Sequence, residues 1–496
     1  MNDVFYVLKG AETTYAAFSR QVSRRARALP ECRGEVVALL AGHGPDFVVN
    51  LFAIWKAGAV PFLVSTRVSW QMAADLMDAA QARILITDQL QSIPSNQRRR
   101  LCMISAGCER GNHVEQYDTT ALEPPNLGAV IFHTSGTTSS PKLVRFSRTS
   151  LLTSLSFEDA AWDGRWTGRD ASLGWLPLYH AFGLISELLY AYRVKSRYYF
   201  SEASPRALLA NLEQEPITLF SAVPWMLEKI VGLPKGLAAL ARLRWVVAGG
   251  AVTSPGLGGQ LVAAGVRFIQ QYGMTELGAT LRGSPGGDWR ELFPVISAQY
   301  WSLEADTGQL MIHRDCPISG ELATRDTFDR APSGALRYRN RVDDVLVHVN
   351  GEKSNALAIE QMVLARASSA IDEIVVCGSG RRRPACLVVW KRHSPATDDC
   401  AVLGSAIDET NKQLPRHSQL QHELVLPLAP SERLRIPVNP KGAVIRKAVE
   451  EMFRDELDQV YRHAEALKSE AVANVCLGAD SGDFAGMQGG MKWASA

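Results

Sequence analysis

A segment rich in hydroxyl side chains is suited to phosphate chemistry. It runs from His133 to Lys142, reads HTSGTTSSPK, and directly follows the apolar run Ala129–Phe132. Backbone N–H groups and small hydroxyls donate hydrogen bonds to phosphate oxygens at close approach, and a lysine adds a point charge. The segment is not a Walker loop, because the order G-x-x-x-x-G-K-[ST] is missing. Composition alone favours an ordinary Ser/Thr turn, so other residues must decide between the two.

Three further segments combine glycine with aromatic, histidine or carboxylate residues. They are WLPLYHAFGL at 175–184, RWVVAGGA at 244–251 and QYGMTE at 271–276. Taken alone, a single histidine such as His180 is more often structural, and a strand followed by Gly-Gly is a common turn. A lone glutamate after a turn, such as Glu276, is often a solvated residue at a helix start. Each segment by itself is therefore weak evidence.

Four polar segments follow further along the chain. TRD at 324–326 is followed by RVDD at 341–344, NGEK at 350–353 and NPKGAVIRK at 439–447. An Arg–Asp pair in a loop is more often a surface ion pair than a functional one. The order of all these segments along the chain is a stronger signal than any one of them.

In this order, the segments resemble the signatures of the adenylate-forming superfamily, which holds acyl-CoA synthetases, peptide-synthetase adenylation domains and luciferases. The His133–Lys142 segment resembles T-S-G-T-T-G-x-P-K, and residues 271–276 resemble Y-G-x-T-E. The resemblance runs from about residue 14 to about residue 450. NGEK at 350–353 and NPKGAVIRK at 439–447 are most similar to the adenylation domains of fungal non-ribosomal-peptide-synthetase-like enzymes.

The resemblance implies a role for each matching residue. For nucleotide binding it implies Thr134, Ser135, Gly136, Thr137, Thr138, Lys142, Gly249, Gly250, Ala251, Tyr272, Gly273, Asp326 and Arg341. For catalysis it implies Lys441, His180, Thr275 and Glu276, with Glu276 also the ligand of Mg²⁺. Asp343 would be the hinge. The chemistry needs such a set, because a carboxylate that attacks an α-phosphate brings two anions together.

Four positions depart from the pattern. Ser139, Arg325 and Asn340 stand where glycine is usual, and Ala443 stands where the catalytic lysine usually follows the glycine. Lys441 precedes that glycine and is the candidate instead. If φ at Ser139 is positive, serine costs on the order of 1 kcal/mol there. These departures leave open a catalytically impaired, nucleotide-binding pseudoenzyme.

The implied activity is ATP-dependent activation of a carboxylic acid to acyl-AMP with release of pyrophosphate. Ala181 stands where amino-acid-activating members carry an aspartate, so an aryl, α-keto or fatty acid is expected rather than an α-amino acid. Transfer to a thiol would follow, either to phosphopantetheine on a separate carrier protein or to CoA. Secondary metabolism is the expected setting, and an acyl-CoA ligase proper is the alternative enzyme.

The elements that must position these residues alternate between helix and strand. TYAAFSRQVSRRARAL at 14–29 has helical spacing, and ILIT at 84–87 and AVIF at 129–132 read as buried strands. We predict an α/β fold with a large N-terminal portion of packed mixed or parallel sheets with helices, plus a small mobile C-terminal α+β lid domain. The expected boundaries are 1–341 for the adenylation domain, 342–453 for the lid, and 454–496 for a helix with a disordered tail.

Composition sets broader bounds. The chain has 496 residues, and 53 Lys and Arg against 51 Asp and Glu give a formal charge of +2. This balance does not favour nucleic acid or an anionic membrane as a partner. The eight cysteines show no zinc-ligand spacing, and no stretch approaches the length of a membrane span. A cytoplasmic protein is expected.

Overall fold

The computed structural model describes residues 4–89, 93, 102–107, 127–134, 142–438 and 444–477, with the backbone alone for residues 343 and 468–477. These residues form two compact units. The larger unit ends at Val342, and the smaller unit begins at Asp343.

A thirteen-stranded mixed sheet organises most of the larger unit. In spatial order its strands are Trp301–Leu303, Gln309–Ile312, Leu322–Arg330, Leu336–Arg341, Leu292–Pro294, Gly278–Gly283, Phe268–Met274, Trp245–Ala248, Leu219–Ala222, Ala171–Gly174, Arg197–Phe200, Val4–Leu8 and Ala11–Thr14. The six strands from Phe268–Met274 to Val4–Leu8 are parallel, and every other neighbouring pair is antiparallel. The parallel strands are short apolar runs such as Trp245-Val-Val-Ala248, as expected for strands covered on both faces.

A second, six-stranded sheet carries the two strands that flank the hydroxyl-rich segment. Its spatial order is Cys102–Ser105, Ile84–Thr87, Val36–Leu40, Val60–Leu63, Val130–Thr134 and Lys142–Phe146. Only the last pair is antiparallel. One hydrophobic cluster contains Leu39 and Phe132 of this sheet together with Tyr198 and Ile269 of the larger sheet. The two sheets therefore share a core.

Helices cover the two sheets of the larger unit. They are Tyr15–Ala28, Pro45–Lys56, Trp70–Ala80, Arg148–Trp162, Tyr190–Arg193, Pro205–Gln214, Pro224–Val231, Gly236–Ala241 and Pro255–Ala263, with a π-helix at Phe182–Leu189 and a 3-10 turn at Ala298–Tyr300. Many begin at a hydroxyl residue whose side chain accepts an N–H bond from the first turn, which is a favourable helix cap. These capping residues are Thr14, Ser69, Ser147, Ser204 and Ser254.

The smaller unit has its own sheets and core. A three-stranded sheet contains Ile371–Cys377, Ala385–Trp390 and Val425–Leu428, and a hairpin pairs Val345–Val347 with Lys353–Asn355. The helices are Ala356–Ala367, Thr397–Asn411, Arg446–Met452 and Arg454–Leu477. The 3-10 turns are Val342–Asp344, Arg416–Ser418, His422–Leu424 and Pro430–Arg435. Its apolar core includes Ile359, Val388 and Ile407.

The predicted α/β class is confirmed, with a large sheet-rich N-terminal part and a smaller α+β part. Within the described ranges, no helix combines the length and the apolar character that crossing a bilayer requires.

Candidate active site

Three of the predicted segments follow parallel strands of the large sheet. His180 lies beyond Ala171–Gly174, the Gly-Gly-Ala turn follows Trp245–Ala248, and Thr275 and Glu276 follow Phe268–Met274. The carboxyl ends of parallel strands lie at the same edge of a sheet, and ligands of open α/β sheets bind outside that edge. The topology therefore assembles these segments on one side of the larger unit.

Gly249 lies where these segments converge. A methyl group at this position would lie 3.1 Å from a ring carbon of Phe182 and 3.3 Å from the carbonyl oxygen of Gln271. The N–H of Gly249 donates to the carbonyl of Ala222, and Gly250 has a left-handed φ of 80°. Because a side chain at Gly249 would push these neighbours apart, glycine lets the His180 segment approach the strand that carries Tyr272.

Thr275 and Glu276 lie in a tight turn between two antiparallel strands, not at a helix start. A methyl group at Gly273 would lie 2.5 Å from the carbonyl oxygen of Gly278, so the strands require glycine to approach this closely. Ser154 Oγ donates to the carbonyl oxygen of Leu277 at 3.1 Å. The turn is thereby attached to the helix Arg148–Trp162, and both Thr275 and Glu276 are partly exposed.

Asp326 is the centre of a polar cluster. Tyr272 donates its hydroxyl to Asp326 Oδ2 at 2.7 Å, and Tyr338 donates to Oδ1 at 3.4 Å. Arg341 Nη1 donates to the same Oδ1 at 3.4 Å, from the strand position paired with Asp326. Burial raises the pKa of Tyr272 and the charge of Asp326 raises it further, so the phenol stays a neutral donor. The cluster therefore holds the carboxylate of Asp326 in a fixed orientation.

The structure thus brings together Tyr272, Asp326 and Arg341, with Gly273, Thr275 and Glu276 on the same hairpin. Sequence reasoning missed Tyr338, whose only signal is its place in the alternating strand Leu336–Arg341, two residues before Asn340. It also missed Phe182 and Ser154, because their roles depend on contacts between distant segments.

Two departures from the glycine pattern differ in their physical cost. Arg325 has a left-handed φ of 66°, a conformation that glycine adopts more readily than other residues. Asn340 instead lies in a regular strand, where its main-chain carbonyl accepts the hydroxyl of Thr327 at 3.0 Å. Backbone strain is therefore expected at Arg325 and not at Asn340.

The two strands that flank the hydroxyl-rich segment hold its first and last residues next to each other. Thr134 pairs with Lys142 at the ends of two antiparallel strands, and Lys142 is exposed. Ser135, Gly136, Thr137 and Thr138, together with Ser139, lie outside the described residues. Within the described part of the chain, no hydrogen bond or ion pair joins Thr134 or Lys142 to the Asp326 cluster.

A buried ion pair connects these flanks with the turn at Thr275. The helix Arg148–Trp162 directly follows the strand of Lys142, and its Glu158 pairs with Arg282 at 2.6 Å. Both side chains are at most 3% exposed. Arg282 also contacts Gln271, the residue before Tyr272, and lies over the ring of Trp162. One helix therefore links the strand of Lys142 to the Tyr272 hairpin.

The remaining predicted residues are placed only in part. His180 is partly exposed, with its ring 4.7 Å from that of Tyr179, just before the π-helix Phe182–Leu189. Lys441 lies outside the described residues, as does Ala443. The backbone of Asp343 lies in the 3-10 turn that begins the smaller unit.

The carboxylate of Glu276 suits a magnesium ion that takes its other ligands from phosphate oxygens and water. Among the described residues, no group of three or more His, Cys, Asp or Glu side chains could hold a metal alone. Mg²⁺ is usually bound by one or two carboxylates together with phosphate oxygens and water. The carboxylate of Glu276, in its partly exposed turn, fits that requirement.

Two family models match the chain. The one described as AMP-binding enzyme covers residues 1–323, and the one described as AMP-binding enzyme C-terminal domain covers residues 343–465.

Among curated relatives, the adenylate-forming reductase stbB of Stachybotrys bisbyi is 25% identical over 459 residues. The alignment covers 86% of this chain and 42% of the reductase. Feruloyl-CoA synthase from an Amycolatopsis species is 30% identical over 287 residues, covering 54% of this chain and 55% of the synthase. The chain spans less than half the length of the reductases it matches.

Solved structures share the fold. ATP-bound MatB from Rhodopseudomonas palustris has a TM-score of 0.75 at 18% identity, covering 92% of this chain and 97% of MatB. The o-succinylbenzoate CoA synthetase MenE from Bacillus subtilis, in complex with its acyl-adenylate intermediate, has a TM-score of 0.71 at 20% identity, covering 90% of this chain and 95% of MenE.

Proposed function

Because this chain belongs to the AMP-binding enzyme family, we propose that it activates a carboxylic acid with ATP, forming acyl-AMP and pyrophosphate. The observation that carries the proposal is the cluster of Tyr272, Asp326 and Arg341 beside the Thr275–Glu276 turn. It offers an aromatic ring for adenine, a carboxylate for the ribose hydroxyls, and a hydroxyl and a carboxylate for the phosphates.

In the first step a carboxylate oxygen of the acid attacks the α-phosphorus. The new O–P bond forms as the bond to the β-phosphate oxygen breaks, and pyrophosphate leaves. Thr275 donates to an α-phosphate oxygen and Lys441 stabilises the charge that develops between carboxylate and phosphate. Glu276 holds Mg²⁺, which supplies charge neutralisation for the phosphates. The segment Thr134–Thr138 and Lys142 bind the β- and γ-phosphates.

The acid is proposed to lack an α-amino group. His180 borders its carboxylate, and the next residue is the buried Ala181, so this segment offers no carboxylate to an ammonium group. The ring of Phe182 lies against Gly249 and adds an apolar wall. An aryl, α-keto or fatty acid fits this lining, and the match to feruloyl-CoA synthase makes a hydroxycinnamic acid a suitable first probe.

Transfer to a thiol is proposed as the second step. The thiol sulfur attacks the acyl carbon, AMP leaves, and a thioester forms. The acceptor is either phosphopantetheine on a carrier protein or CoA, the second by analogy with feruloyl-CoA synthase. A change in orientation of the smaller unit between the steps, with Asp343 as pivot, is part of this proposal.

Pyrophosphate exchange tests the first step. Labelled pyrophosphate should be incorporated into ATP in the presence of one class within a panel of aryl, α-keto and fatty acids. Glu276→Gln and Lys441→Ala should each lower the rate by roughly a hundredfold or more, because each removes charge stabilisation from the transition state. Glu213→Gln and Lys235→Ala are matched controls, since these two residues form only a surface ion pair.

ATP binding without pyrophosphate exchange would contradict the proposed activity. If folded protein binds ATP in calorimetry but exchanges pyrophosphate with no acid, the chain is a nucleotide-binding pseudoenzyme. Ser139 and Ala443 are the departures that motivate this second candidate. The acceptor is tested separately, by mixing preformed acyl-AMP with either CoA or a phosphopantetheinylated carrier and measuring the thioester.

A further inference from the structure

The smaller unit contains a buried arginine that the proposed chemistry does not use. Arg446 is 6% exposed and binds Glu360 with both ends of its guanidinium, at 2.5 Å from Nη1 and 3.2 Å from Nη2. Nη1 also donates to the main-chain carbonyl of Val376. Burial alone would lower the pKa of Arg446, but the charge of Glu360 and the bonds to it raise it, so the side chain remains a cation.

Arg446 lies next to the segment that carries Lys441. It begins the helix Arg446–Met452, and the residues on either side of 439–443 pair with each other. Val438 and Val444 form an antiparallel bridge, and the N–H of Ile445 donates to the carbonyl of Pro437 at 2.9 Å. The residues on either side of the Lys441 segment therefore belong to the unit that contains Arg446.

A second carboxylate approaches Arg446 from the other end of the unit's sequence. Asp344 Oδ1 lies 3.5 Å from Arg446 Nε, and Nε has no hydrogen-bond partner among the described residues. Asp344 ends the 3-10 turn Val342–Asp344 and directly follows Asp343. The contact thus connects the proposed pivot to the residue that follows the Lys441 segment.

Stability is a weak explanation for this arrangement. The desolvation cost of a buried ion pair often cancels its attraction, so such a pair is weak evidence for a stabilising role. Glu360 already provides the bidentate partner that a buried arginine needs. Asp344 adds a third buried or partly buried charge, directed at the one guanidinium nitrogen that Glu360 and Val376 leave without a bond.

We propose that Arg446 and Asp344 are positioning residues that confine rotation of the chain to Asp343. The contact holds Asp344 to the unit that contains Val438 and Val444, the residues on either side of the Lys441 segment, so the pivot is a single residue. Without the contact, torsional freedom spreads to Asp344 and Val345, and Lys441 reaches its reactive position less often. This inference rests on the proposed function.

Asp344→Asn is the central variant, because it removes the charge and leaves the Arg446–Glu360 pair intact. We expect kcat for pyrophosphate exchange to fall about tenfold with KM for ATP and acid nearly unchanged, since fewer molecules hold the reactive geometry. Hydrogen exchange in peptides that cover residues 342–346 should accelerate several-fold. Asp344→Glu keeps the carboxylate and should restore kcat to within about threefold of the unchanged protein.

Asp458→Asn is the matched control. Asp458 also pairs with an arginine of the smaller unit, Arg381, at the surface. It should leave kcat and hydrogen exchange at 342–346 unchanged. A thermal unfolding midpoint for Asp344→Asn within about 2 °C of the unchanged protein excludes a merely structural effect.

The outcomes separate this inference from the proposed function. If Asp344→Asn matches Asp458→Asn in kcat and in hydrogen exchange, or if its unfolding midpoint falls sharply, the inference is overturned. If the unchanged protein activates no acid, the proposed function falls. In that case hydrogen exchange alone still decides whether Asp344 holds the pivot turn, and equal exchange in both variants overturns the inference.

Discussion

Arg325 illustrates how one residue can reveal a position that favours glycine. Its left-handed φ of 66° costs a residue with a side chain about 1 kcal/mol. We expect Arg325→Gly to be more stable than Arg325→Ala by about that amount, because both variants lose the side chain and only glycine relieves the backbone. Urea unfolding of the two variants measures the difference.

The same pair of substitutions at Arg462 provides the control. Arg462 is exposed within the helix Arg454–Leu477, where alanine should exceed glycine by about 1 kcal/mol. The sign of the difference should therefore reverse between the two positions. A more stable alanine variant at both positions would contradict the assignment of strain to Arg325.

His133 should make stability depend on pH. Burial lowers its pKa to about 4, and the N–H of Ser65 donates to its Nε2 at 3.0 Å, so the folded protein holds the neutral ring. An unfolded histidine has a pKa of about 6.5, so between the two values the unfolded chain binds more protons. The stabilising contribution is complete above pH 6.5 or so and is lost as pH falls towards 4.

His133→Gln tests this titration, because its amide oxygen can still accept the Ser65 N–H but does not titrate. The slope of unfolding free energy against pH should decrease by up to about 1.4 kcal/mol per pH unit between roughly pH 6.5 and 4. Denaturant unfolding at several pH values gives both slopes. Parallel curves for the two proteins would show that His133 does not titrate in this range.

At the scale of elements, local sequence patterns predicted where strands lie better than which strands pair with each other. The apolar runs at Ile84–Thr87 and Val130–Thr134 are strands, as expected, because burial on both faces leaves a readable apolar signature. The first is parallel to both its neighbours, and the second is parallel to Val60–Leu63 and antiparallel to Lys142–Phe146. The antiparallel strands between Phe268 and Arg341 were not predicted as one group. Their pairing depends on contacts between distant segments, such as Asp326 opposite Arg341, which a single sequence does not contain.

In the candidate site, too, local motifs could be predicted from the sequence and contacts between distant segments could not. The resemblance identified the motif residues, and the family match confirms the resemblance itself. Tyr338 lies outside the quoted segments. Phe182 lies within one of them, but its contact with Gly249 joins distant parts of the chain, so only the structure brought both residues to the site. The π-helix at Phe182–Leu189 was also not predicted, since π-helical turns are rare and mostly occur as short insertions in α-helices.

The helix Arg148–Trp162 depends on its buried ion pair. Removing one partner leaves an uncompensated buried charge, so Arg282→Met should destabilise the protein by about 3 to 5 kcal/mol. The double variant Glu158→Leu/Arg282→Met removes both charges and should recover most of that loss. Urea unfolding measures all three proteins. Additive losses in the double variant would show that the two charges do not compensate each other.

At the scale of the whole molecule, nucleotide binding and turnover should be separable. Tyr272, Asp326, Arg341, Glu276 and Lys142 all belong to the unit that ends at Val342, and that unit has its own large core. A fragment of residues 1–342 should therefore fold and bind ATP in calorimetry. It lacks Lys441, so it should not exchange pyrophosphate at a measurable rate, because the charge at the reacting carboxylate and α-phosphate is not stabilised.

Asp326→Asn in the same fragment is the control for specific binding. An amide in place of the carboxylate weakens the charge-assisted bonds to the ribose hydroxyls, each worth about 1.5 to 3 kcal/mol, so affinity for ATP should fall tenfold or so at least. Tyr272→Phe should have a smaller effect, since the ring remains and only the hydroxyl that donates to Asp326 is lost. Equal ATP affinity in all three fragments would mean that the Asp326 cluster does not bind the nucleotide, and exchange activity in the unchanged fragment would exclude Lys441 from the first step.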